Sequence, residues 1–391
     1  MKAFAALAVA LLASPQTQEV HRRAYVFDAH VHVINRQFHD GSDIGQRLTG
    51  GQVDLPRMID GGVDAAMFSV YVPEQYYPGR YETKHALRLI ELARRQIEKN
   101  SGRVELALNG HDLERIRKAG KLAAVLDLEG GFDLDGSPGV LRAFHRLGLR
   151  MFQLPAHNWA NEFAESCCAK SKFKGLTERG REIVRLANDL GMVVNVSHAS
   201  DDTIEQVLAV SRHPVLATHH GMRRRNDIPR NSPDHVLKAI AAKGGVIGFH
   251  IGNEFHNRPM FDWRTKQAGR PFWDTSEIGA GAALPTIEEI DRRVARTFPM
   301  MGTNAPEELL FTPEQWIEVV EEAISLVGED HVMLGSDFDG GPTPPRGIRD
   351  ISHLPLLTEA MLKRGWSRTR IEKFLGGNLL RVFHEVTASK R

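Results

Sequence analysis

Eight short apolar, β-branched runs alternate along this chain with longer amphipathic stretches, and that alternation constrains the fold more than any other feature. The runs cover residues 25–31, 64–72, 122–128, 150–154, 192–197, 214–218, 245–251 and 332–336. Helical patterns lie between them. Residues 83–99 place Ala86, Leu87, Ile90, Leu92, Ala93 and Ile97 against a charged face. Thr177 and Glu178 open a helix that ends at Gly191, Ser232-Pro233-Asp234 opens another, and Thr312-Pro313-Glu314 a third. Strand–helix alternation implies a parallel sheet with right-handed crossovers. Eight such units point to an α/β fold, a (β/α)8 TIM-type barrel, with a doubly wound open sheet as the alternative. The 391 residues fit one barrel domain over 22–391. Residues 253–311, between the seventh and eighth runs, break the rhythm. They are rich in Gly, Pro, Arg and aromatics (Phe255, Phe261, Trp263, Phe272, Trp273) and are too long for a plain connection. A lid or small helical excursion is expected there.

Composition narrows the function. Fifty Lys and Arg against 49 Asp and Glu leave a formal charge of +1, which gives no footprint for nucleic acid or an anionic membrane. Two cysteines exclude a disulfide-dense scaffold and a thiolate-rich zinc module. They are adjacent, Cys167-Cys168, and a vicinal disulfide, pairing with another subunit and the reduced state all stay open. No apolar stretch approaches 18 residues, so no spanning helix is expected. Met1-Lys2, the apolar run from Phe4 to Ala13 and the following Ser14-Pro15-Gln16 read as a secretory signal over 1–13. An uncleaved start is the alternative. No cysteine near residue 14 offers a lipid anchor, and the tail is polar. The expected location is periplasmic or secreted.

In a barrel, chemistry sits at the C-terminal ends of the strands. Six of the eight runs end there in His, Glu or Asp. The first ends in Asp28-Ala29-His30-Val31-His32, the third in Asp127-Leu128-Glu129-Gly130-Gly131 and the fourth in Pro155-Ala156-His157. The fifth ends in Ser197-His198, the sixth in Thr218-His219-His220 and the eighth in Ser336-Asp337-Phe338-Asp339. The second (Tyr71) and seventh (His250, Asn253) are less clear. His30 and His32 are two apart on an extended chain, so both point the same way and can grip one ion. His198 and His219 can grip a second, and Glu129 can offer one oxygen to each. Imidazole and carboxylate together suit two divalent ions, zinc first among them. Two metals roughly 3.5–4 Å apart with a bridging water form a standard hydrolytic device. Asp337 has the type and place to take the water's proton and pass it to a leaving group. Each motif alone has a bland reading, as a capped strand end, a satisfied buried histidine or a turn. Their coincidence at the ends of different strands favours the metal site. Asp28 and Asp127 lie one layer deeper, as supports for imidazoles or buried acceptors.

The chain resembles the membrane dipeptidase (renal dipeptidase) family of zinc peptidases, from about Val26 to Val386. The resemblance rests on Leu128-Glu129-Gly130, Asn195-Val196-Ser197-His198, Pro229-Arg230-Asn231-Ser232-Pro233-Asp234, Gly335-Ser336-Asp337-Phe338-Asp339-Gly340 and Gly376-Gly377-Asn378-Leu379-Leu380-Arg381-Val382. It implies that His30 and His32 hold the first metal, His198 and His219 the second, and Glu129 both. It also implies that His157 touches the substrate carbonyl, Arg230 holds the terminal carboxylate, and Asp337 is the acid/base. His157 could stabilise an oxyanion, and a guanidinium fork suits a carboxylate. One departure is clear: His32 stands where better-known members have aspartate, so the first site loses one negative charge. The expected activity is hydrolysis of dipeptides, and the expected partner a small peptide, with no nucleic acid and no membrane span. A homodimer is left open. A lactonase or deacylase on the same barrel is the enzymatic alternative, and an inactive binding protein the other. A degenerate binder would be free to lose Glu129 and Asp337, and both are present.

Overall fold

A computed structural model of the protein describes residues 13–77, 81–130, 137–155, 157–168, 173–274, 286–296 and 304–388. All of the segment read as a signal except Ala13 lies outside the described residues, as does Ala156. The strands are β1 (Phe27–Val31), β2 (Ala65–Tyr71), β3 (Val104–Leu106), β4 (Leu122–Glu129), β5 (Leu149–Gln153), β6 (Val193–Asn195), β7 (Leu216–His220), β8 (Val246–His250) and β9 (Val332–Gly335). They run in the order β1-β2-β4-β5-β6-β7-β8-β9, every pair parallel. The sheet curls until its last strand meets its first. Asp337 N–H donates to His30 O, and His32 N–H to Phe338 O, each at 2.9 Å. Asp28 Oδ1 staples the seam by accepting from His30 N–H (3.1 Å) and Ser336 N–H (3.0 Å). Eight parallel strands thus form a nearly closed barrel, and the open-sheet alternative falls.

The ninth strand is new relative to the sequence reading. β3 pairs residues Leu122–Ala124 of β4, on the edge that β5 takes up from Leu126 onward. It plugs the lower end of the wall with three residues, Val-Glu-Leu, too few for a period of two to register.

Burial follows that period. Phe27, Ala65, Met67, Ala123, Val125, Met151, Val193, Leu216, Val246 and Met333 fill the barrel, which Leu379, Val382, Phe383 and Val386 close from below. The alternate residues meet the surrounding helices. Two register irregularities break the alternation where it matters. One lies between Asp28 and Val31, and the other between Ala217 and His220. An extra residue shifts the parity of everything after it. Val31 therefore joins the outer layer, and His30 and His32 turn inward. On β7 the same device turns His219 inward and sends His220 out to Ser232 Oγ (2.7 Å).

The helix Pro15–Arg23 begins at Ser14, whose Oγ accepts from Thr17 N–H, and it buries Val20 and His21. His21 Nε2 donates to Gly61 O at 2.8 Å, and Nδ1 accepts from Thr358 Oγ1 at 2.7 Å. Burial pushes its pKa down from 6.5 to about 4, against the pull of the Gly61 carbonyl. The unfolded chain therefore takes up this proton first, and stability falls as pH drops through 6.5 until about 4. The full span is roughly 3 kcal/mol. His21→Phe should cost about 1–3 kcal/mol near neutrality, and that penalty should shrink as the pH falls toward 4. Denaturant titrations of both proteins across the range check this, and a constant penalty would refute it.

Candidate metal centre

At the upper mouth of the barrel Glu129, 1% exposed, divides its two oxygens. Oε2 lies 3.1 Å from His30 Nε2 and 3.3 Å from His32 Nε2, and those two nitrogens are 3.2 Å apart. Oε1 lies 3.1 Å from His198 Nε2 and 3.6 Å from His219 Nε2, themselves 2.9 Å apart. Donors bound at 2.0–2.1 Å around a tetrahedral ion sit roughly 3.3 Å from one another. Both sets have that spacing. Asp337 Oδ1, 2.9 Å from His32 Nε2 and 3.8 Å from His30 Nε2, approaches a further corner of the first.

Three of the four imidazoles turn their other nitrogen to a protein group, as metal-binding histidines do, whereas His32 Nδ1 is buried without a hydrogen-bond partner among the described residues. His30 Nδ1 faces Asp127 Oδ2 at 3.4 Å, His198 Nδ1 faces Asn158 Oδ1 at 2.8 Å, and His219 Nδ1 faces Thr218 Oγ1 at 3.0 Å. Of the two deeper carboxylates, Asp127 is thus the imidazole support and Asp28 the buried acceptor at the seam. Burial works against the charge on Glu129, but His30 and His32, with hydrogen bonds from His198 and His30, hold its pKa well below the usual range. Burial likewise opposes charge on His30, yet Glu129 and Asp127 outweigh it and raise its pKa well above the ordinary value. His198 and His219 are pushed well down, chiefly by burial, with Arg230 adding to the first and His30 to the second. The donor chemistry and spacing fit two divalent cations.

The cleft beside these donors is lined by Tyr71, His157, Arg230, His250, Phe255 and Asp337, among others. His157 Nδ1 pairs with Glu74, which also accepts from Tyr71 Oη (3.1 Å) and Asn158 N–H (3.4 Å). Its Nε2 lies 3.5 Å from Glu129 Oε1. Burial opposes its charge, but Glu74 outweighs that and raises its pKa. Arg230 is 1% exposed; Nη2 reaches His198 Nε2 (3.1 Å) and His219 O (3.3 Å), while Nη1 has no hydrogen-bond partner among the described residues. Burial pushes its pKa down to about 10, so it stays charged. Asp337 Oδ2 accepts from His250 Nε2 at 2.9 Å. Hydrogen bonds from His250 and His32 overcome burial and hold the Asp337 carboxyl well below its ordinary range.

All eight residues read from the sequence meet at this mouth. Two further residues at this mouth, Glu74 and His250, are not marked by sequence position. Glu74 sits beyond the end of β2, where the neighbouring Tyr71 is the signal. His250 ends β8, at one of the two strand ends that the sequence leaves unclear. Cys167 and Cys168 form a vicinal disulfide, and Cys167 N–H donates to His198 O at 2.7 Å. Among the described residues, the non-glycine residues with left-handed backbone are His157, His198, Asp337 and Asp339. That conformation is costly and persists where the surroundings enforce it. The described parts of 253–311 include the helices Asn253–His256, Arg258–Ala268 and Ile287–Ala295; Phe255 and Arg264 reach the cleft from the first two, and Phe272 from the segment after the second.

Buried carboxylate and imidazole donors at the mouth of a parallel barrel are the hallmark of the metal-dependent hydrolases. Residues 14–391 match the model of the membrane dipeptidases (peptidase family M19), and the chain belongs to that family. It is 32% identical over 344 residues to dipeptidase tcpJ of Claviceps purpurea, covering 86% of this chain and 69% of that protein. The probable dipeptidase PvdM from Pseudomonas aeruginosa shares the fold with a TM-score of 0.77 at 23% identity, over 95% of this chain and 98% of that one. So does a metallopeptidase from Rhodobacter sphaeroides liganded with a phosphinate mimic of the dipeptide L-Ala-D-Ala, with a TM-score of 0.72 at 22% identity, over 93% and 99%.

The two aspartates of Asp337-Phe338-Asp339 divide their work. Asp339 turns away from the cleft, where Oδ2 accepts from Arg36 (2.8 Å) and Oδ1 from Gln52 N–H (2.6 Å). Burial raises its pKa to about 6 in spite of Arg36, so the desolvation of this pair is not fully repaid. Removing one partner then strands the other. Asp339→Ala should lose about 3–5 kcal/mol of stability, whereas Asp337→Ala should lose activity at a much smaller cost in stability. Denaturation midpoints of the two variants separate these outcomes, and equal destabilisation would contradict the division.

Proposed function

We propose that the protein is a binuclear metallopeptidase that hydrolyses dipeptides. The observation that carries this reading is Arg230, a charged, buried guanidinium beside the donor sets whose Nη1 has no partner among the described residues. A group so placed calls for an anion from outside the protein, and a substrate's terminal carboxylate supplies one. His30, His32 and Glu129 Oε2 would hold one ion, and His198, His219 and Glu129 Oε1 the other, with zinc the favoured metal. Bound there, the ions would supply Lewis acidity, activating water and polarising the scissile carbonyl. Glu129, His157 and His198 form a competing donor set. The Glu74 contact favours a protonated His157, which suits it to donate from Nε2 to the oxygen on which charge develops. Arg230 anchors the carboxylate and limits the substrate to two residues. Asp337 takes the proton of the attacking water and returns it to the leaving amine as the C–N bond breaks.

The dipeptide named with the Rhodobacter sphaeroides metallopeptidase is the same chemical class. The excursion 253–311 is read as a cover for the cleft, and residues 1–13 as an export signal that places the enzyme in the periplasm or outside the cell.

Protein purified without chelator should contain near two equivalents of metal by elemental analysis, and His32→Ala should fall toward one. A parent value of one with full activity would remove the sharing role of Glu129. Arg230→Ala should raise KM for dipeptides by about tenfold to over a hundredfold, the loss of a charge-assisted contact. Dipeptide amides should be poor substrates for the unaltered enzyme. If amides and acids are cleaved alike, the carboxylate anchor is wrong and a lactonase or deacylase gains ground.

A further inference from the structure

The two oxygens of Asp337 have different partners. Oδ1 faces the donor set, 2.9 Å from His32 Nε2, and Oδ2 is held by His250 Nε2 at 2.9 Å. The proton on that second contact can be assigned. Gly252 N–H donates to His250 Nδ1 at 2.8 Å, so Nδ1 is an acceptor and the ring carries its hydrogen on Nε2. The ring is stacked on Phe255, with centroids 3.6 Å apart and planes 14° from parallel. A side chain at Gly252 would stand 2.8 Å from His250 Cε1, and one at Gly340 would overlap Asp337 Oδ1. Glycine at 252 and 340 thus leaves room for the imidazole and the carboxylate, and the stack on Phe255 holds the ring. Asp337 itself has a left-handed backbone, with φ of 59°.

We infer that His250 is a positioning residue for Asp337. By donating to Oδ2 it stops rotation of the carboxylate and leaves Oδ1 as the oxygen that takes and returns the proton. This rests on the acid/base reading of Asp337. His250 acts through Asp337, by one hydrogen bond. A carboxylate free to turn would offer either oxygen at a varying distance, and a misplacement of about 1 Å can cost roughly a hundredfold in rate.

Three variants test the inference in the metal-loaded enzyme. His250→Phe keeps an aromatic ring against Phe255 and removes the donor. His250→Gln restores an N–H near the same place without the ring. Asp337→Asn removes the acid/base group, alone and together with His250→Phe. His250→Phe should lower kcat on a dipeptide by about tenfold to a hundredfold, leave KM within about twofold, and retain the parent's metal content. His250→Gln should recover most of that loss. In the Asp337→Asn background, His250→Phe should cause no further fall, because residues acting as a unit are not additive. An unchanged kcat in His250→Phe would overturn the inference, as would a raised KM alone or a loss of metal. A glutamine variant as slow as the phenylalanine one would assign the effect to ring shape and overturn it too. A further fall in the double variant would show that His250 acts elsewhere. If Asp337→Asn by itself keeps the parent's kcat, it is the acid/base reading that fails.

Discussion

A buried carboxylate keeps its charge only where neighbours replace the water it has lost, and the architecture of the site follows from meeting that demand at Glu129. Four imidazoles from β1, from the loop after β6 and from β7 converge on its two oxygens. Three of these imidazoles are aimed in turn, His30 by Asp127, His198 by Asn158 and His219 by Thr218. The barrel serves as the frame in which these strand ends can be brought within a few ångströms of one another.

The frame achieves this through its irregularities. An ideal strand alternates strictly, and strict alternation would have sent His30, His32 and His219 into the outer layer with the helices. The register shifts in β1 and β7 correct the parity just before the residues that need it. Beyond the strand ends, left-handed backbone at His157, His198 and Asp337 redirects the chain over a single residue. Regular structure below and irregular structure above is how a rigid wall can present converging side chains.

Much of this was legible in the sequence. The eight alternating runs point to the barrel, with an open sheet as the alternative, and acidic and imidazole residues at their ends mark one mouth. Glu129 between the two histidine pairs in strand order made a shared carboxylate readable without coordinates. Other parts were hidden for physical reasons. β3 is too short for a period to show. Glu74 lies outside any strand, and its meaning comes from reaching His157, 83 residues away. His250 stands at a strand end that the sequence leaves unclear, because its partner, Asp337, is 87 residues distant. The separate duties of Asp337 and Asp339 cannot be told from Asp-Phe-Asp alone, since only the fold shows which one meets Arg36. The adjacent cysteines left three states open, and chain geometry selects the bonded one.

The seam where β9 meets β1 also bears on how the protein is made. Asp28 and Ser336, which staple it, stand 308 residues apart in sequence. A ribosome delivers the N-terminal strand first and the closing strand near the end. Until β9 arrives, β1 lacks its second neighbour, and nothing fixes His30 and His32 relative to Asp337. Contacts of such long range form late and slowly. The complete centre is thus a property of the finished chain, and its order of assembly puts closure of the barrel before completion of the site.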